Sequence, residues 1–172
     1  TGAFDVEPVA ALDDTGDASF ARPPHNLDDP AAIYFTSGST GDPKGVAVTR
    51  RMIAACQSAY GVRWPFLEAR PPVLIDWLPW HHVFGGLDNF HKMIWYGGSY
   101  HVEAPPGADS MDAFAARIRD TWPTIHINVP YGIDLLLDHL DHDPDTRVAL
   151  FERLDLIFFA GAGMGAGTWQ RL

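Results

Sequence analysis

Short apolar runs alternate with longer stretches of helical periodicity along most of this chain. Five of the apolar runs are typical of β-strands, and they cover residues 31–36, 72–78, 99–103, 124–129 and 154–160. Four stretches repeat apolar residues every three or four positions, which predicts helices over 49–60, 86–96, 111–122 and 131–140. Strands that alternate with helices in this way favour an α/β fold, in which helices flank a mostly parallel sheet.

Boundary residues support these helices. Thr49 is suited to be the N-cap of the first helix, and Gly61 to be its stop. Ser110 precedes the third helix, which must end before Pro123 because proline cannot continue a helix. By contrast, residues 1–30 are rich in Asp, Pro and Gly and lack a clear period. We therefore expect an irregular lead-in over 1–30 and folded structure over 31–172.

The composition narrows the classes of function. The 172 residues include 22 acidic and 12 basic side chains, for a formal charge of −10. This balance argues against nucleic acid as a partner, because phosphate backbones bind clustered cations. Cys56 is the single cysteine, which excludes an intrachain disulfide, and its apolar helical neighbours predict a buried, inert thiol. No apolar run is long enough to span a bilayer, so we expect a cytoplasmic protein that has no membrane partner; its oligomeric state is left open.

The densest chemical signal is TSGSTGDPKGV, from Thr36 to Val46. Glycines let several backbone N–H groups converge on an anion, the hydroxyl side chains add donors, and Lys44 adds a positive charge. This combination suits a polyphosphate; the alternative is a solvated surface loop. It is not the P-loop of nucleotide triphosphatases, because glycine, and not Ser or Thr, follows Lys44. The residues predicted to bind the phosphates are Thr36, Ser37, Gly38, Ser39, Thr40, Gly41 and Lys44.

The stretch YFTSGSTGDPKGV resembles the signature loop of the adenylate-forming superfamily, which contains acyl- and aryl-CoA synthetases, luciferases and the adenylation domains of peptide synthetases. Three later stretches, LPWHHVFGG, HINVPYGIDLLLDHL and LDLIFFAGAGMGAG, resemble further motifs in the family's order. The resemblance implies that the loop closes over the β- and γ-phosphates of ATP. It also implies that Lys44 meets the departing pyrophosphate.

The same resemblance assigns roles outside the loop. His82 is placed at the wall between the acyl pocket and the nucleotide, and with Lys44 it forms the predicted catalytic pair. Gly161, Ala162 and Gly163 are placed against the adenine and the acyl group. Candidates for an aromatic-lined substrate pocket are Trp80, Phe84, Asn89, Phe90 and Tyr131.

Two pairs of histidines raise metal binding as an alternative. His81 and His82 are adjacent, and adjacent side chains cannot easily face one ion on a regular element. His139 and His142 have a helical spacing, but acid-rich helix ends are usually solvated faces. We therefore predict no metal site within this chain.

The stretches VTRRMI and PWHHVFGGLDNF are most similar to feruloyl-CoA synthetases, which implies an aromatic or bulky acid. The implied activity is that of an acid–CoA ligase, which uses ATP and Mg²⁺ to form an acyl-adenylate and then passes the acyl group to CoA. Two alternatives remain: an adenylation domain that loads a carrier protein, and a non-catalytic nucleotide-binding module.

The chain matches only part of the family's pattern. The family's aromatic-Gly-x-Thr-Glu segment, whose Glu holds magnesium, has no counterpart in the sequence, and neither has its ribose-binding aspartate. The small C-terminal domain with its adenylating lysine has no counterpart either. We therefore expect residues 31–172 to be part of a larger N-terminal adenylation domain, and the 172-residue chain alone to be inactive.

Overall fold

The computed structural model describes residues 26–37, 42–105, 107 and 110–172, and these residues contain six β-strands and seven α-helices. The strands are β1 (Pro30–Ser37), β2 (Pro43–Thr49), β3 (Val73–Asp76), β4 (Ser99–Val102), β5 (Ile125–Asn128) and β6 (Leu156–Phe159). The helices are α1 (Arg50–Arg63), α2 (Phe66–Ala69), α3 (Phe90–Trp95), α4 (Met111–Thr121), α5 (Pro130–Leu140), α6 (Pro144–Phe151) and α7 (Ala166–Arg171). A π-helical turn, Val83–Asn89, leads directly into α3.

The strands form three pairs, two of them parallel. β3 pairs with β4 and β5 with β6 in parallel, while β1 and β2 form an antiparallel hairpin. The two parallel pairs meet between the first residue of β3 and the residue that precedes β5. There the Thr124 N–H donates to the Val73 carbonyl at 3.0 Å, and the Val73 N–H donates to the Thr124 hydroxyl at 2.9 Å. The expected α/β fold with mostly parallel strands is confirmed.

Helices cover the parallel strands on both faces, because successive side chains of a strand point to opposite sides. On β3, Ile75 packs into a core built with α4, α5 and α6, which includes Phe114, Ile133 and Leu150. The preceding residue, Leu74, packs into a second core on the other face. The second core is rich in aromatic side chains, which come from α1, α2, the π-helical turn, the strands and the residue after α3.

Local capping explains where several helices begin. The Thr49 hydroxyl accepts from the Met52 N–H at 3.2 Å, which confirms the predicted N-cap of α1. Ser110 precedes α4 as expected, although its side chain makes no capping hydrogen bond. α6 was not predicted; its N-cap is Asp143, whose carboxylate accepts from the Thr146 N–H at 3.0 Å.

One predicted boundary is wrong, and one strand is missing from the prediction. Gly61 does not end α1, which continues to Arg63. A Cβ at Gly61 would lie 2.5 Å from Glu68 Oε1 and 3.0 Å from the Tyr96 hydroxyl, so the glycine permits the close approach of these side chains and is not a stop. β2 is absent from the predicted elements, because the sequence prediction assigns its first residues, through Val46, to the glycine-rich loop.

The predicted lead-in over 1–30 falls largely outside the described residues, which begin at Asn26. Among the residues that are described, no helix combines the length and the apolar character needed to cross a lipid bilayer.

Candidate active site

The described residues of the predicted phosphate loop lie on the β1–β2 hairpin. Thr36 pairs with Lys44, and Ser37 pairs with Pro43. The Thr36 hydroxyl donates to the Lys44 carbonyl at 3.5 Å, and the Lys44 side chain is exposed. The hairpin thus brings together the two ends of the predicted loop and presents the lysine to solvent. The remaining predicted loop residues, Gly38, Ser39, Thr40 and Gly41, lie outside the described residues.

A cavity of about 720 Å³ opens beside this hairpin. Its walls come from α1, from the segments that follow β3 and β6, and from the π-helical turn. Ligands of open parallel sheets bind beyond the carboxyl ends of the strands, and this cavity has that position. Three predicted site residues line it: His82, Phe84 and Gly161.

His82 occupies the N-cap of the π-helical turn, where its Nδ1 accepts from the Phe84 N–H at 3.3 Å. A ring nitrogen that accepts carries no proton, so the hydrogen of the neutral imidazole is on Nε2. The bond fixes the ring at the cavity wall. The side chain is exposed and therefore accessible to a ligand in the cavity.

His81, His139 and His142 do not line the large cavity with His82. His81 lines a separate, smaller cavity of about 370 Å³. His139 Nε2 lies 3.2 Å from Asp143, and His142 Nδ1 lies 3.1 Å from the Asp138 carbonyl. In the part of the chain that the structure describes, no group of three or more His, Cys, Asp or Glu side chains is arranged to hold a metal ion.

The glycine-rich turn after β6 contributes one residue to the cavity. Gly161 has a φ of +91°, in the region that favours glycine, and it lines the cavity. Ala162 and Gly163 follow it on the exposed side of the turn and are not among the lining residues. The structure therefore brings His82 and Gly161 to one space, although they are far apart in the sequence.

Two of the aromatic pocket candidates lie beside the cavity and not in it. The Trp80 indole N–H donates to the Tyr100 hydroxyl at 3.1 Å, and Trp80 lines the smaller cavity with Tyr34. The Phe90 ring packs 5.0 Å from the Trp80 ring and 6.2 Å from the Tyr100 ring. Of the five candidates, Phe84 alone lines the large cavity.

Asn89 and Tyr131 also differ from their expected positions in the pocket. Asn89 is fully buried, because its amide donates to the Asp76 carboxylate at 2.9 Å. Asp76 also accepts from the Leu78 N–H at 2.8 Å and from the Tyr100 hydroxyl at 2.7 Å. This network anchors the start of the segment that carries His82. Tyr131, in the first turn of α5, is 68% exposed and lines neither cavity.

One face of α1 forms a cavity wall that the motifs did not indicate. Met52, Cys56 and Tyr60 are spaced four residues apart and all line the cavity. The sequence signal for this wall is the helical spacing of the three residues, and that spacing is equally typical of a helix face that packs in a core. Cys56 is exposed, which contradicts the expected burial, and partial desolvation raises the pKa of its thiol. The cavity wall therefore carries a neutral thiol.

The double glycine of the π-helical turn has a steric cause. A Cβ on Gly85 would lie 2.7 Å from the Leu78 carbonyl oxygen, and a Cβ on Gly86 would overlap the Trp80 carbonyl oxygen. Both contacts are with backbone, which cannot move aside cheaply. Glycine therefore lets the turn pack directly against the segment between β3 and His82.

Known proteins are similar to this chain in sequence and in fold. The family model described as AMP-binding enzyme matches residues 3–172. Atromentin synthetase invA2 of Paxillus involutus is 31% identical over 132 residues, which make up 76% of this chain and 13% of the synthetase. The sulfoacetate–CoA ligase of Cupriavidus necator is 31% identical over 135 residues, which make up 74% of this chain and 26% of the ligase.

A solved structure of a malonyl-CoA ligase, with methylmalonyl-CoA and AMP bound, has a TM-score of 0.73 and 27% identity to this chain. The match covers 85% of this chain and 30% of that ligase. The chain thus spans a third or less of the length of each of these proteins. Because the family match extends over nearly all of its residues, this chain belongs to the family of AMP-binding enzymes.

Proposed function

We propose that the full-length protein is an ATP-dependent acid–CoA ligase. A carboxylate oxygen attacks the α-phosphorus of ATP, the bond to the bridging oxygen breaks, and pyrophosphate leaves. The CoA thiolate then attacks the carbonyl carbon of the acyl-adenylate, and AMP leaves. The observation that carries this proposal is that His82 and Gly161 line one cavity beside the hairpin that bears Lys44.

The hairpin suits the polyphosphate. Val48 of β2 lines the cavity, and Lys44 lies on the same face of that strand four residues earlier, about 13 Å away at ~3.3 Å per residue. Lys44 lies outside the cavity lining at this distance, where it would contact a pyrophosphate group that extends out of the cavity. Its single charge orients this group, and Mg²⁺ would supply the further neutralisation that two approaching anions need.

His82 and the glycine turn suit the reacting end of the acid and the nucleotide. A neutral imidazole with hydrogen on Nε2 can donate to a carboxylate without adding a permanent charge. Gly161 has no side chain, which leaves room for a flat ring beside the backbone. Ala162 and Gly163 would extend that surface along the exposed turn.

The cavity favours an aromatic or bulky acid with an uncharged tail. Tyr60, Trp77, Phe84 and Phe158 supply aromatic walls. Among the described lining residues there is no Lys or Arg, whereas Asp88 contributes a carboxylate. Because Asp88 is itself paired with Lys92, a second anionic group, such as the sulfonate of sulfoacetate, would find no cationic partner among the described lining residues. The similarity of the GGLDNF stretch to feruloyl-CoA synthetases points to the same substrate class.

Acid-dependent pyrophosphate release by the full-length protein tests the proposal. We expect release with cinnamate and ferulate and much less with malonate, and formation of a CoA thioester when CoA is added. Lys44→Ala should abolish release with every acid, whereas Arg153→Ala, which removes an exposed cation elsewhere, should leave it unchanged. Unaltered release by the Lys44 variant would contradict the proposed role. A thioester formed with a carrier protein but not with CoA would reassign the acceptor.

A further inference from the structure

Lys92 is the unusual residue of α3, because none of its side chain is exposed. A lysine is almost never fully buried unless it is paired, since removal of an ammonium group from water is costly. Burial lowers the pKa of Lys92, and the nearby Asp88 carboxylate opposes that shift. No motif that identified the family includes this residue.

Three groups surround the buried ammonium. Lys92 Nζ donates to Asp88 Oδ2 at 2.9 Å. It lies 4.4 Å from the centre of the Tyr60 ring and 5.7 Å from the centre of the Phe158 ring. Both distances are within the range of cation–π attraction, which is strongest for desolvated cations.

These three partners come from different elements, and each lines the large cavity. Asp88 lies in the π-helical turn, Tyr60 on α1 and Phe158 on β6. Lys92 itself is not among the lining residues, so its ammonium stands directly behind the wall. One buried cation therefore joins the three parts of the protein that enclose this side of the cavity.

Stability alone does not account for the lysine. A buried ion pair is often no more stabilising than apolar side chains of the same size. In the described structure, Asp88 Oδ1 has no hydrogen-bond partner, so this pair is not fully satisfied. A methionine would fill the same space without the cost of a buried charge. A methionine carries no charge, however, and would not hold the faces of two aromatic rings towards one point.

The aromatic packing transmits this constraint. The Tyr60 ring stacks on Trp64 with centroids 5.1 Å apart, and Phe158 meets Trp64 edge to face at 5.6 Å. Phe84, which also lines the cavity, meets Phe158 edge to face at 6.0 Å. A shift of Tyr60 or Phe158 would therefore move the other aromatic side chains and change the shape of the cavity.

We propose that Lys92 is a positioning residue for the acid: its ammonium holds Tyr60, Phe158 and Asp88 in place from behind the cavity wall and so maintains a space shaped for a flat, bulky acid. This rests on the proposed function, in which the cavity receives the acid. Lys92 does not touch the substrate. Its effect is on which acid fits, and it does not act on the phosphates.

The test is a neutral pair in the full-length protein, Lys92→Met with Asp88→Asn, which leaves no unpaired buried charge. The readout is acid-dependent pyrophosphate release with cinnamate and with acetate. We expect the cinnamate-to-acetate ratio of kcat/KM to fall at least tenfold, through a higher KM for cinnamate, while the KM for ATP stays within twofold. A ratio within twofold of the wild type would overturn the proposal.

The matched control is Arg117→Met with Glu103→Gln, which neutralises an exposed ion pair. Arg117 Nε and Glu103 Oε1 are 2.6 Å apart, and neither residue lines the cavity. It should leave the ratio unchanged; a similar fall in the control would also overturn the proposal, since the effect would then not be specific to the buried pair. If the wild-type protein releases no pyrophosphate with any acid, the proposed function fails and this inference fails with it. Wild-type release with an unchanged ratio in the variant refutes the role of Lys92 alone.

Lys92→Arg covers the case in which the neutral pair does not fold. It keeps the charge and the ion pair, but a planar guanidinium at a stacked site is not equivalent to a compact ammonium. The Tyr60 ring, 4.4 Å from the ammonium, would have to move outward. We expect the cinnamate-to-acetate ratio to fall at least fivefold, and an unchanged ratio would refute the positioning role.

Discussion

Replacement of Asp76 by Asn tests the network that anchors the segment carrying His82. Asp76 is 1% exposed, and its carboxylate accepts three hydrogen bonds, from Leu78, Asn89 and Tyr100. An asparagine has the same shape but only one acceptor oxygen, so in either orientation its NH₂ group faces at least one of these donors. The substitution therefore conserves the packing and changes the hydrogen bonding and the charge, which also acts on the nearby Lys92.

The better orientation of the amide keeps the bonds from Asn89 and Tyr100 and loses the one from Leu78. A hydrogen bond to a charged acceptor contributes ~1.5–3 kcal/mol, and a buried donor without a partner costs ~1–3 kcal/mol. The two figures describe one loss and do not add. We expect Asp76→Asn to lower the free energy of unfolding by about 2–3 kcal/mol.

Urea unfolding of the full-length protein, followed by tryptophan fluorescence, measures this change. With a slope of ~1–3 kcal/mol per molar urea, a loss of about 2–3 kcal/mol should lower the midpoint by roughly 0.7–3 M. Asp120→Asn, an exposed aspartate on α4, is the control and should leave the midpoint nearly unchanged. Because the network holds the segment that leads to His82, the KM for the acid should rise as well. An unchanged midpoint would refute the energetic importance of the network.

Three further substitutions give distinct results. Burial lowers the pKa of His126 to about 4, so below pH 6.5 the unfolded chain binds a proton that the folded chain does not. The free energy of unfolding should therefore fall by about 2–4 kcal/mol between pH 6.5 and pH 4. A His126→Gln variant whose free energy of unfolding, measured in urea titrations, fell equally with pH would contradict this. Hydrogen bonds from Thr146 hold the pKa of Asp143 at about 2, so the stabilisation by this carboxylate is present above pH 3.8 and is lost as the pH falls towards 2. Asp143→Ala should lower the free energy of unfolding by ~0.5–2 kcal/mol at pH 7 and by little at pH 2. An equal loss at both pH values would refute this prediction. Gly86→Ala would overlap the Trp80 carbonyl and should lower the melting temperature and raise the KM for the acid, whereas an unchanged melting temperature would show that the turn can shift freely.

Local sequence signals predicted most of the regular elements. The period of the apolar residues located five strands and four helices, and the N-cap at Thr49 has the expected hydrogen bond. These features depend on neighbours within a few residues, which the sequence displays directly. The dense loop from Thr36 to Val46 indicated the family for the same reason, because its residues act together within one short segment.

The remaining features depend on residues that are distant in the sequence. β2 exists because it pairs with β1, although its own stretch, with a proline and a glycine, is weakly typical of a strand. Asn89 lies in the core because Asp76 is buried beside it. Phe84 is the only one of the five pocket candidates to line the large cavity, since aromatic residues serve cores and pockets equally well.

The sequence by itself determined most of the strands and helices and the family, because both are encoded in local patterns, whereas the phosphate-binding role of the loop stays a prediction. The tertiary structure alone decided which side chains share the cavity: the face of α1, the end of β6 and the turn before α3 meet only after the chain has folded. The same holds for Lys92, whose burial among Tyr60, Asp88 and Phe158 results from contacts between three separate elements. Contacts of this kind leave no periodic signal in a single sequence.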